Sequence, residues 1–184
     1  MKSALIVVDM QVGLFASPKH DAVNLAQRLN DLGRRIRASG GIVVFIQHEG
    51  PAGGPFEPES QTWQLLPELY AGEHDIIVHK KSCDAFLDTD LADALRIHGV
   101  DRLVITGCAT DYCVDTTVRS ALARSYKTVV PADGHTTSDR PHMSAEKIIV
   151  HHNAIWADFI APAGPAVISR CVDINLPLRG GCRK

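Results

Sequence analysis

Short apolar segments recur along the chain with the spacing of a parallel β-sheet. Residues 4–8 form a continuous apolar run, which is typical of a strand that helices cover on both faces. Five further runs of this kind predict strands, at 42–46, 75–79, 103–106, 128–130 and 166–169. Together they predict a six-stranded, mainly parallel sheet.

Between these runs, apolar residues return every three or four positions, which is the period of an amphipathic helix. The first helix is expected to begin at Asp21 as its N-cap, and Gly40-Gly41 can close it. Three more helices are predicted, at about 90–98, 111–124 and 144–159. Residues 48–67 contain four prolines and show neither period, so we expect a long loop there. The alternation of strands and helices, with right-handed crossovers, predicts a three-layer α/β/α, Rossmann-like fold.

The size and charge of the chain narrow the function classes. The 184 residues fit one domain, 1–184. The formal charge is -2 and no block of like charge is present, so the sequence does not predict a surface that binds nucleic acid or a membrane. The N-terminal segment carries one lysine and a short apolar run, which fits neither a signal peptide nor a membrane span. We therefore expect a cytoplasmic protein whose partner is a small molecule.

The five cysteines include no C-x-x-C pair, so reduced thiols are expected rather than disulfides or a zinc site. Taken singly, a cysteine is most often a small buried apolar residue. We predict that environment for Cys83, Cys108 and Cys171. His151 and His152 are adjacent on a predicted helix and face different ways, so we do not expect them to share a metal ion.

Three polar residues stand where predicted strands end. Asp9 follows the first strand, Lys80 follows the third, and Cys113 lies shortly after the fourth. Catalytic groups of open parallel sheets gather at the carboxyl ends of the strands, because loops and helix N-termini meet there. We therefore expect these three side chains to lie together. Lys81 is the rival for the lysine position, although successive strand residues point to opposite faces.

The predicted chemistry centres on Cys113. It falls in the first turn of a predicted helix, where free N–H groups and the helix dipole favour a thiolate. The same N–H groups can stabilise an oxyanion when sulfur adds to a carbonyl. Asp9 can take the thiol proton and later give it to a leaving amine, while the lysine ammonium holds the charges in place. The set predicts a nucleophilic hydrolase.

Three segments make the chain resemble the isochorismatase-like cysteine hydrolases, the superfamily of nicotinamidases and N-carbamoylsarcosine amidases. They are Ile6-Val-Val-Asp-Met-Gln11, His79-Lys-Lys-Ser-Cys-Asp-Ala-Phe86 followed by Thr89-Asp-Leu91, and Thr106-Gly-Cys-Ala-Thr-Asp-Tyr-Cys-Val114. The resemblance implies a catalytic triad of Asp9, Lys80 and Cys113. It also implies a cis peptide between Cys108 and Ala109, an oxyanion hole from the N–H groups of Ala109 and Cys113, and a homo-oligomer, dimeric or larger.

The resemblance also bears on cofactors and substrate. Nicotinamidases bind a divalent metal through an Asp-x-His pattern after the second strand, and this chain has Gln47-His-Glu-Gly50 there instead. We therefore expect no metal and no other cofactor. The residues expected to contact substrate are Gln11, Phe15, His48, Trp63 and Tyr112.

The preferred hypothesis is a metal-independent hydrolase that cleaves a small amide, carbamoyl or related C–N substrate through a covalent intermediate. Vinyl ether hydrolysis, as in isochorismatase, is the first alternative. A non-catalytic family member that binds a ligand or protein partner is the second. A dinucleotide-binding domain is disfavoured because the first strand runs into Asp9-Met-Gln-Val-Gly, without the G-x-G-x-x-G turn that phosphate requires.

Overall fold

The computed structural model of the protein describes residues 1–176. Cys182, one of the cysteines expected to be reduced, lies outside these residues. The other four are free thiols. No helix in the described part of the chain combines the length and apolar character needed to traverse a bilayer.

The core of the fold is a parallel β-sheet. Its strands in residues 1–176 are β1 (Ser3–Val8), β2 (Ile42–His48), β3 (Ile76–Lys80), β4 (Arg102–Cys108), β5 (Lys127–Pro131), β6 (His135–Thr136) and β7 (Val167–Ser169). Six of them run side by side in the order β3-β2-β1-β4-β5-β7, and the two-residue strand β6 pairs with β4. Every pairing between these strands is parallel.

Four α-helices cover the two faces of this sheet: α1 (Ala22–Ala38), α2 (Leu91–Ile97), α3 (Asp115–Ala123) and α4 (Ala145–Ala157). Alternate residues of β1 face opposite sides, as strand geometry requires. Leu5 and Val7 pack with α1, whereas Ile6 and Val8 belong to the core under α2, α3 and α4. The predicted three-layer α/β/α architecture is confirmed.

Three local features differ from the sequence-based expectation. Strand β6 was not predicted, because two residues are too short to show a period. Asp21 precedes α1 in a left-handed conformation (φ 51°) and makes no capping hydrogen bond. Its carboxylate instead accepts a hydrogen bond from Arg28 at 2.7 Å. Before α3, Thr110–Val114 form a π-helical turn.

The register of the central strands brings polar residues to one edge of the sheet. Val8 of β1 pairs with Gly107 of β4, so Asp9 and Cys108 follow at the same level. Gly107 has a φ of 116°, and a Cβ there would lie 2.1 Å from the carbonyl oxygen of Val8. Only glycine permits this close approach of β4 to β1. The carboxyl edge therefore gathers the ends of β1, β3 and β4.

Candidate active site

Asp9, Lys80 and Cys113 lie together at this edge. The Lys80 ammonium nitrogen is 2.7 Å from Asp9 Oδ2 and 3.3 Å from Cys113 Sγ. The side chains of Asp9 and Lys80 are at most 1% exposed, so their charges interact with little screening by water. The three groups expected to share a crevice are therefore in contact through the lysine.

Strand alternation separates the two neighbouring lysines. Lys80 is the last residue of β3 and is buried, whereas Lys81 is exposed. Beyond Asp9 and Cys113, the Lys80 ammonium donates a hydrogen bond to the carbonyl oxygen of Ser82 at 2.9 Å. It thus has fixed neighbours on several sides, as expected for a buried cation. Lys80, not Lys81, reaches the crevice.

The Asp9 carboxylate depends on Lys80 for its pairing. The Lys80 ammonium lies 2.7 Å from Oδ2, and among the described residues no backbone N–H or hydroxyl donates to either carboxylate oxygen. Burial raises the pKa of Asp9 above its ordinary 3.8, although the Lys80 charge opposes this rise. A buried carboxylate with few donors and a raised pKa is suited to taking up a proton.

Cys113 rests as a thiol. Its position near a helix start suggests an ionised sulfur, but burial and the negative charge of Asp9 raise the pKa of Cys113, and Lys80 only partly opposes them. Burial on its own lowers the pKa of Lys80, but the charges and hydrogen bonds of Asp9 and Cys113 together outweigh it and leave the Lys80 pKa raised. Ionising the sulfur therefore requires that its proton move to a neighbour, and Asp9 is that neighbour.

The turn that carries Cys113 also offers backbone donors. The Val114 N–H reaches back to the Ala109 carbonyl at 3.1 Å, which closes the π-helical turn around Cys113. The Cys108–Ala109 peptide bond is cis, the geometry that the resemblance implies. Within residues 1–176 the Ala109 N–H meets no acceptor. Ala109 and Cys113 both line the cavity described next, as an oxyanion hole would require.

A cavity of about 480 Å³ opens beside the three side chains. Asp9, Ala109 and Cys113 line it, and its size suits a small organic molecule. Several residues that the sequence did not single out complete its wall, among them Lys19, Phe56, Cys83, Thr137, Ser138 and Arg140. They come from four separate loops.

Two of the five expected substrate contacts line this cavity, His48 and Tyr112. The His48 imidazole packs edge-on to Phe56, with ring centroids 5.9 Å apart. Its Nδ1 is 3.5 Å from the Lys80 ammonium. Burial, aided by the Lys80 charge, lowers the pKa of His48, so the ring is neutral and can accept hydrogen bonds. Tyr112 is 54% exposed at the rim.

The other three expected contacts lie away from the cavity wall. Gln11 is fully buried, and its amide exchanges hydrogen bonds with the His48 backbone and donates to the Trp63 carbonyl at 2.8 Å. Its polar atoms are thus committed to tying the loop to β2. Phe15 packs on the core under α1. The Trp63 ring packs against His79 at 5.3 Å. These three side chains therefore make packing and backbone contacts rather than lining the cavity.

The burial predicted for Cys83 is wrong. It is exposed and lines the cavity, whereas Cys108 and Cys171 are buried as expected. The segment 80–84 leaves β3 as a loop around Lys80, and this places residue 83 at the crevice. The segment carries no periodic pattern, so its burial could not be inferred from the sequence.

A second polar cluster lies behind the turn 109–113. His135 is buried, with its Nδ1 2.9 Å from Thr110 Oγ1 and its Nε2 3.0 Å from Asn153 Oδ1. Burial lowers the pKa of His135 to about 4, so the ring is neutral. The Asn153 amide donates to the Ala132 carbonyl, which leaves its oxygen to accept from His135 Nε2–H. Thr110 then donates to Nδ1, and the turn is anchored to α4.

Two other polar side chains near the site make structural contacts. His152 Nδ1 bonds to the Ile148 carbonyl at 2.9 Å within α4. Asp133 accepts a hydrogen bond from the Cys171 N–H at 2.7 Å. Across residues 1–176, no three His, Cys, Asp or Glu side chains are grouped so that they could hold a metal ion.

Comparison with known proteins places these features in a family context. A family model described as an isochorismatase domain matches residues 3–157. The chain is 38% identical to a streptothricin hydrolase of Streptomyces noursei, over 75% of the chain and 56% of that protein. It is 30% identical to the ureidoacrylate amidohydrolase RutB of Variovorax paradoxus, over 71% of the chain and 67% of that protein.

The crystal structure of an isochorismatase family protein superposes with a TM-score of 0.82 and 30% identity, covering 90% of this chain and 96% of that one. The chain spans only about half the length of the streptothricin hydrolases it matches, 56% and 51% of two such proteins.

Proposed function

Because the chain belongs to the isochorismatase domain family, we propose that it is a cysteine hydrolase of small molecules. The bond cleaved is the C–N bond of an amide or carbamoyl group, and the intermediate is a thioester-type adduct on Cys113. One observation carries this proposal: a single buried ammonium, Lys80, contacts both the carboxylate of Asp9 and the sulfur of Cys113. Such a constellation matches a nucleophile, its base and a charge-compensating group.

In the first half-reaction, Asp9 takes the thiol proton as Cys113 Sγ bonds to the substrate carbonyl carbon. The N–H groups of Ala109 and Cys113 receive the oxyanion, which they stabilise because they are fixed before the reaction begins. The C–N bond then breaks, and protonated Asp9 gives its proton to the leaving nitrogen. Lys80 keeps the net charge of the crevice balanced as the negative charge moves between oxygen and sulfur.

In the second half-reaction, water attacks the thioester carbonyl. Asp9, again a carboxylate, takes a proton from the water as the new C–O bond forms. The C–S bond breaks, the proton passes from Asp9 to sulfur, and a carboxylic or carbamic acid leaves. The same carboxylate thus serves twice as base and twice as acid, which its raised pKa favours at neutral pH.

The buried charge pair beside the thiol argues for catalysis over binding alone. Burying a carboxylate and an ammonium carries a desolvation cost that a well-packed apolar pair avoids. Asp9 and Lys80 are at most 1% exposed, and Lys80 also contacts the sulfur of Cys113. The names of two relatives, streptothricin hydrolase and ureidoacrylate amidohydrolase, also support a hydrolase that acts on amide-type bonds.

A substrate panel tests the proposal. Purified protein and its Cys113→Ala and Cys113→Ser variants are assayed on primary amides, N-carbamoyl compounds and isochorismate, each before and after chelation. We expect turnover of C–N substrates that chelation leaves unchanged and that both variants lose by at least about 10³-fold. Turnover of isochorismate alone would point to vinyl ether cleavage. Turnover that survives in Cys113→Ala would contradict a covalent role for sulfur.

The assembly state stays a prediction. The family resemblance implies a homo-oligomer with a small-molecule substrate as the partner of each subunit. Light scattering during size-exclusion chromatography measures the molar mass in solution, and a mass equal to that of one chain would contradict the prediction.

A further inference from the structure

Lys19 on the cavity wall has no acidic partner within salt-bridge distance in the described part of the chain. The Lys19 ammonium donates hydrogen bonds to Ser17 Oγ at 2.8 Å and to the Ser17 carbonyl at 3.2 Å. It also lies 5.8 Å from the centre of the Phe15 ring. Among residues 1–176, Lys19 takes part in no salt bridge. Its ammonium is therefore held in place without being neutralised.

The other charges at the cavity cancel. Asp9 is matched by Lys80 at 2.7 Å. Arg140, also on the wall, is matched by Asp111 at 2.9 Å, and its guanidinium lies over the rim residue Tyr112. His48 is neutral, since burial lowers its pKa. Among residues 1–176, the charged side chains that line the cavity of about 480 Å³ therefore leave one unmatched positive charge, that of Lys19.

Lys19 shares the cavity with the groups proposed to react. It lines the cavity together with Ala109 and Cys113, which carry the candidate oxyanion donors. A second cavity of about 600 Å³ adjoins the first and shares Ser17, Lys19, Ser138 and Arg140 with it. Asp139 also lines this second cavity, and its carboxylate accepts a hydrogen bond from the Ala145 N–H at 2.7 Å. Lys19 therefore lies where the two cavities meet.

We propose that the substrate carries a carboxylate, or an anionic group of similar size, and that Lys19 binds it while the scissile carbonyl meets Cys113. This inference rests on the proposed hydrolase function and adds the substrate class. Ser138 lines both cavities beside Lys19, but its hydroxyl donates to the Pro18 carbonyl at 2.8 Å, so Lys19 is the group that binds the anion. A charge-assisted hydrogen bond from the Lys19 ammonium discriminates a carboxylate from its neutral amide, because only the carboxylate adds an ionic attraction to the hydrogen bond.

The test uses matched ligands and binding rather than turnover. In the Cys113→Ala background, calorimetry compares N-carbamoylglycine with N-carbamoylglycinamide, and succinamate with succinamide. We expect at least one carboxylate to bind about 10- to 100-fold more tightly than its neutral partner. Adding Lys19→Met should abolish that preference, and Lys19→Arg should retain most of it. Lys127→Met removes the same charge at the opposite edge of the sheet and should leave the preference unchanged.

The outcomes separate this inference from the function it rests on. If no carboxylate binds better than its neutral partner, or if Lys19→Met keeps the preference, the assignment of Lys19 is overturned even when the wild-type protein hydrolyses amides. If carboxylates bind through Lys19 but the wild-type protein cleaves none of the panel, the anion site stands and the hydrolase proposal fails.

Discussion

Two buried polar clusters flank the turn 109–113, and they differ in which groups pair with their polar atoms. In the His135 cluster, both ring nitrogens have neutral hydrogen-bond partners, on Thr110 and Asn153. In the Asp9 cluster, the equally buried carboxylate is paired with the Lys80 ammonium at 2.7 Å, and among the described residues no backbone N–H or hydroxyl donates to its oxygens. A network of neutral hydrogen bonds rigidifies a fold, whereas a buried carboxylate and ammonium beside a thiol can move a proton and stabilise charge. The comparison supports the proposal that one cluster fixes the turn and the other carries out chemistry on it.

The largest expected effect comes from removing the base. Asp9→Asn keeps the shape of the side chain but cannot accept the thiol proton, so kcat/KM should fall by about 10²- to 10⁴-fold. The wild-type protein should lose activity reversibly as pH falls through the Asp9 pKa, because protonated Asp9 is no longer a base. Burial places that loss above the ordinary 3.8. Steady-state assays across pH check both points, and an acid limb that persists in Asp9→Asn would contradict the assignment.

Removing the lysine of the Asp9–Lys80 ion pair should lower the stability of the protein. Lys80→Met leaves the buried Asp9 charge uncompensated, and we expect the free energy of unfolding to fall by about 3–5 kcal/mol. The double variant Asp9→Asn, Lys80→Met removes both charges and should recover much of this loss. Denaturant unfolding of the two single variants and the double variant measures the coupling. Additive losses would mean that the two residues do not interact in the folded state.

The His135 cluster should make the folded protein less stable in acid. The pKa of His135 is lowered from 6.5 to about 4 in the folded protein, so the unfolded chain binds a proton first as pH falls. Stability from this residue is complete above about pH 6.5 and is lost between that pH and about 4, a loss of about 3 kcal/mol. The free energy of unfolding, measured by denaturant at several pH values, should change less between pH 6.5 and 4 in His135→Gln than in the wild type. An equal dependence on pH in the two proteins would show that His135 does not titrate as described.

The smallest effect is expected at the neighbouring lysine. Lys81→Met changes an exposed side chain, so stability should stay within about 0.5 kcal/mol of the wild type, and activity should be unchanged. Thermal unfolding and kcat/KM provide the check. A loss of activity comparable to that of Lys80→Met would reverse the choice between the two lysines.

The sheet and the ends of its strands could be predicted because each depends on local sequence. The apolar run before Asp9 is long enough to fix a buried strand, and alternation along β3 decides which lysine faces inward. In a parallel sheet, the carboxyl ends of neighbouring strands necessarily meet at one edge. The meeting of Asp9, Lys80 and Cys113 follows from those two facts.

The cavity wall could not be predicted, because it depends on loops that meet only in three dimensions. Lys19, Phe56 and Arg140 are far apart in sequence and belong to no periodic segment. Gln11 shows the reverse case: it lies two residues after Asp9 in sequence, yet its amide is used to hold backbone groups of the loop and of β2. Nothing in the order of residues distinguishes an amide that faces a ligand from one that faces the main chain.

The resting state of the sulfur also depends on tertiary surroundings. A helix start alone favours a thiolate, but the enclosed position of Cys113 next to Asp9 reverses that preference. In the proposed mechanism, the base therefore takes the thiol proton at the moment of attack.

The central claim is that Cys113 becomes covalently attached to substrate during turnover. Rapid acid quenching of the protein with a substrate from the amide panel, followed by intact-mass and peptide mass spectrometry, tests it directly. We predict a transient mass increase equal to the acyl or carbamoyl group, located on the peptide that contains Cys113 and absent from Cys113→Ala. Sustained hydrolysis with no adduct on that peptide at any quench time would contradict the account.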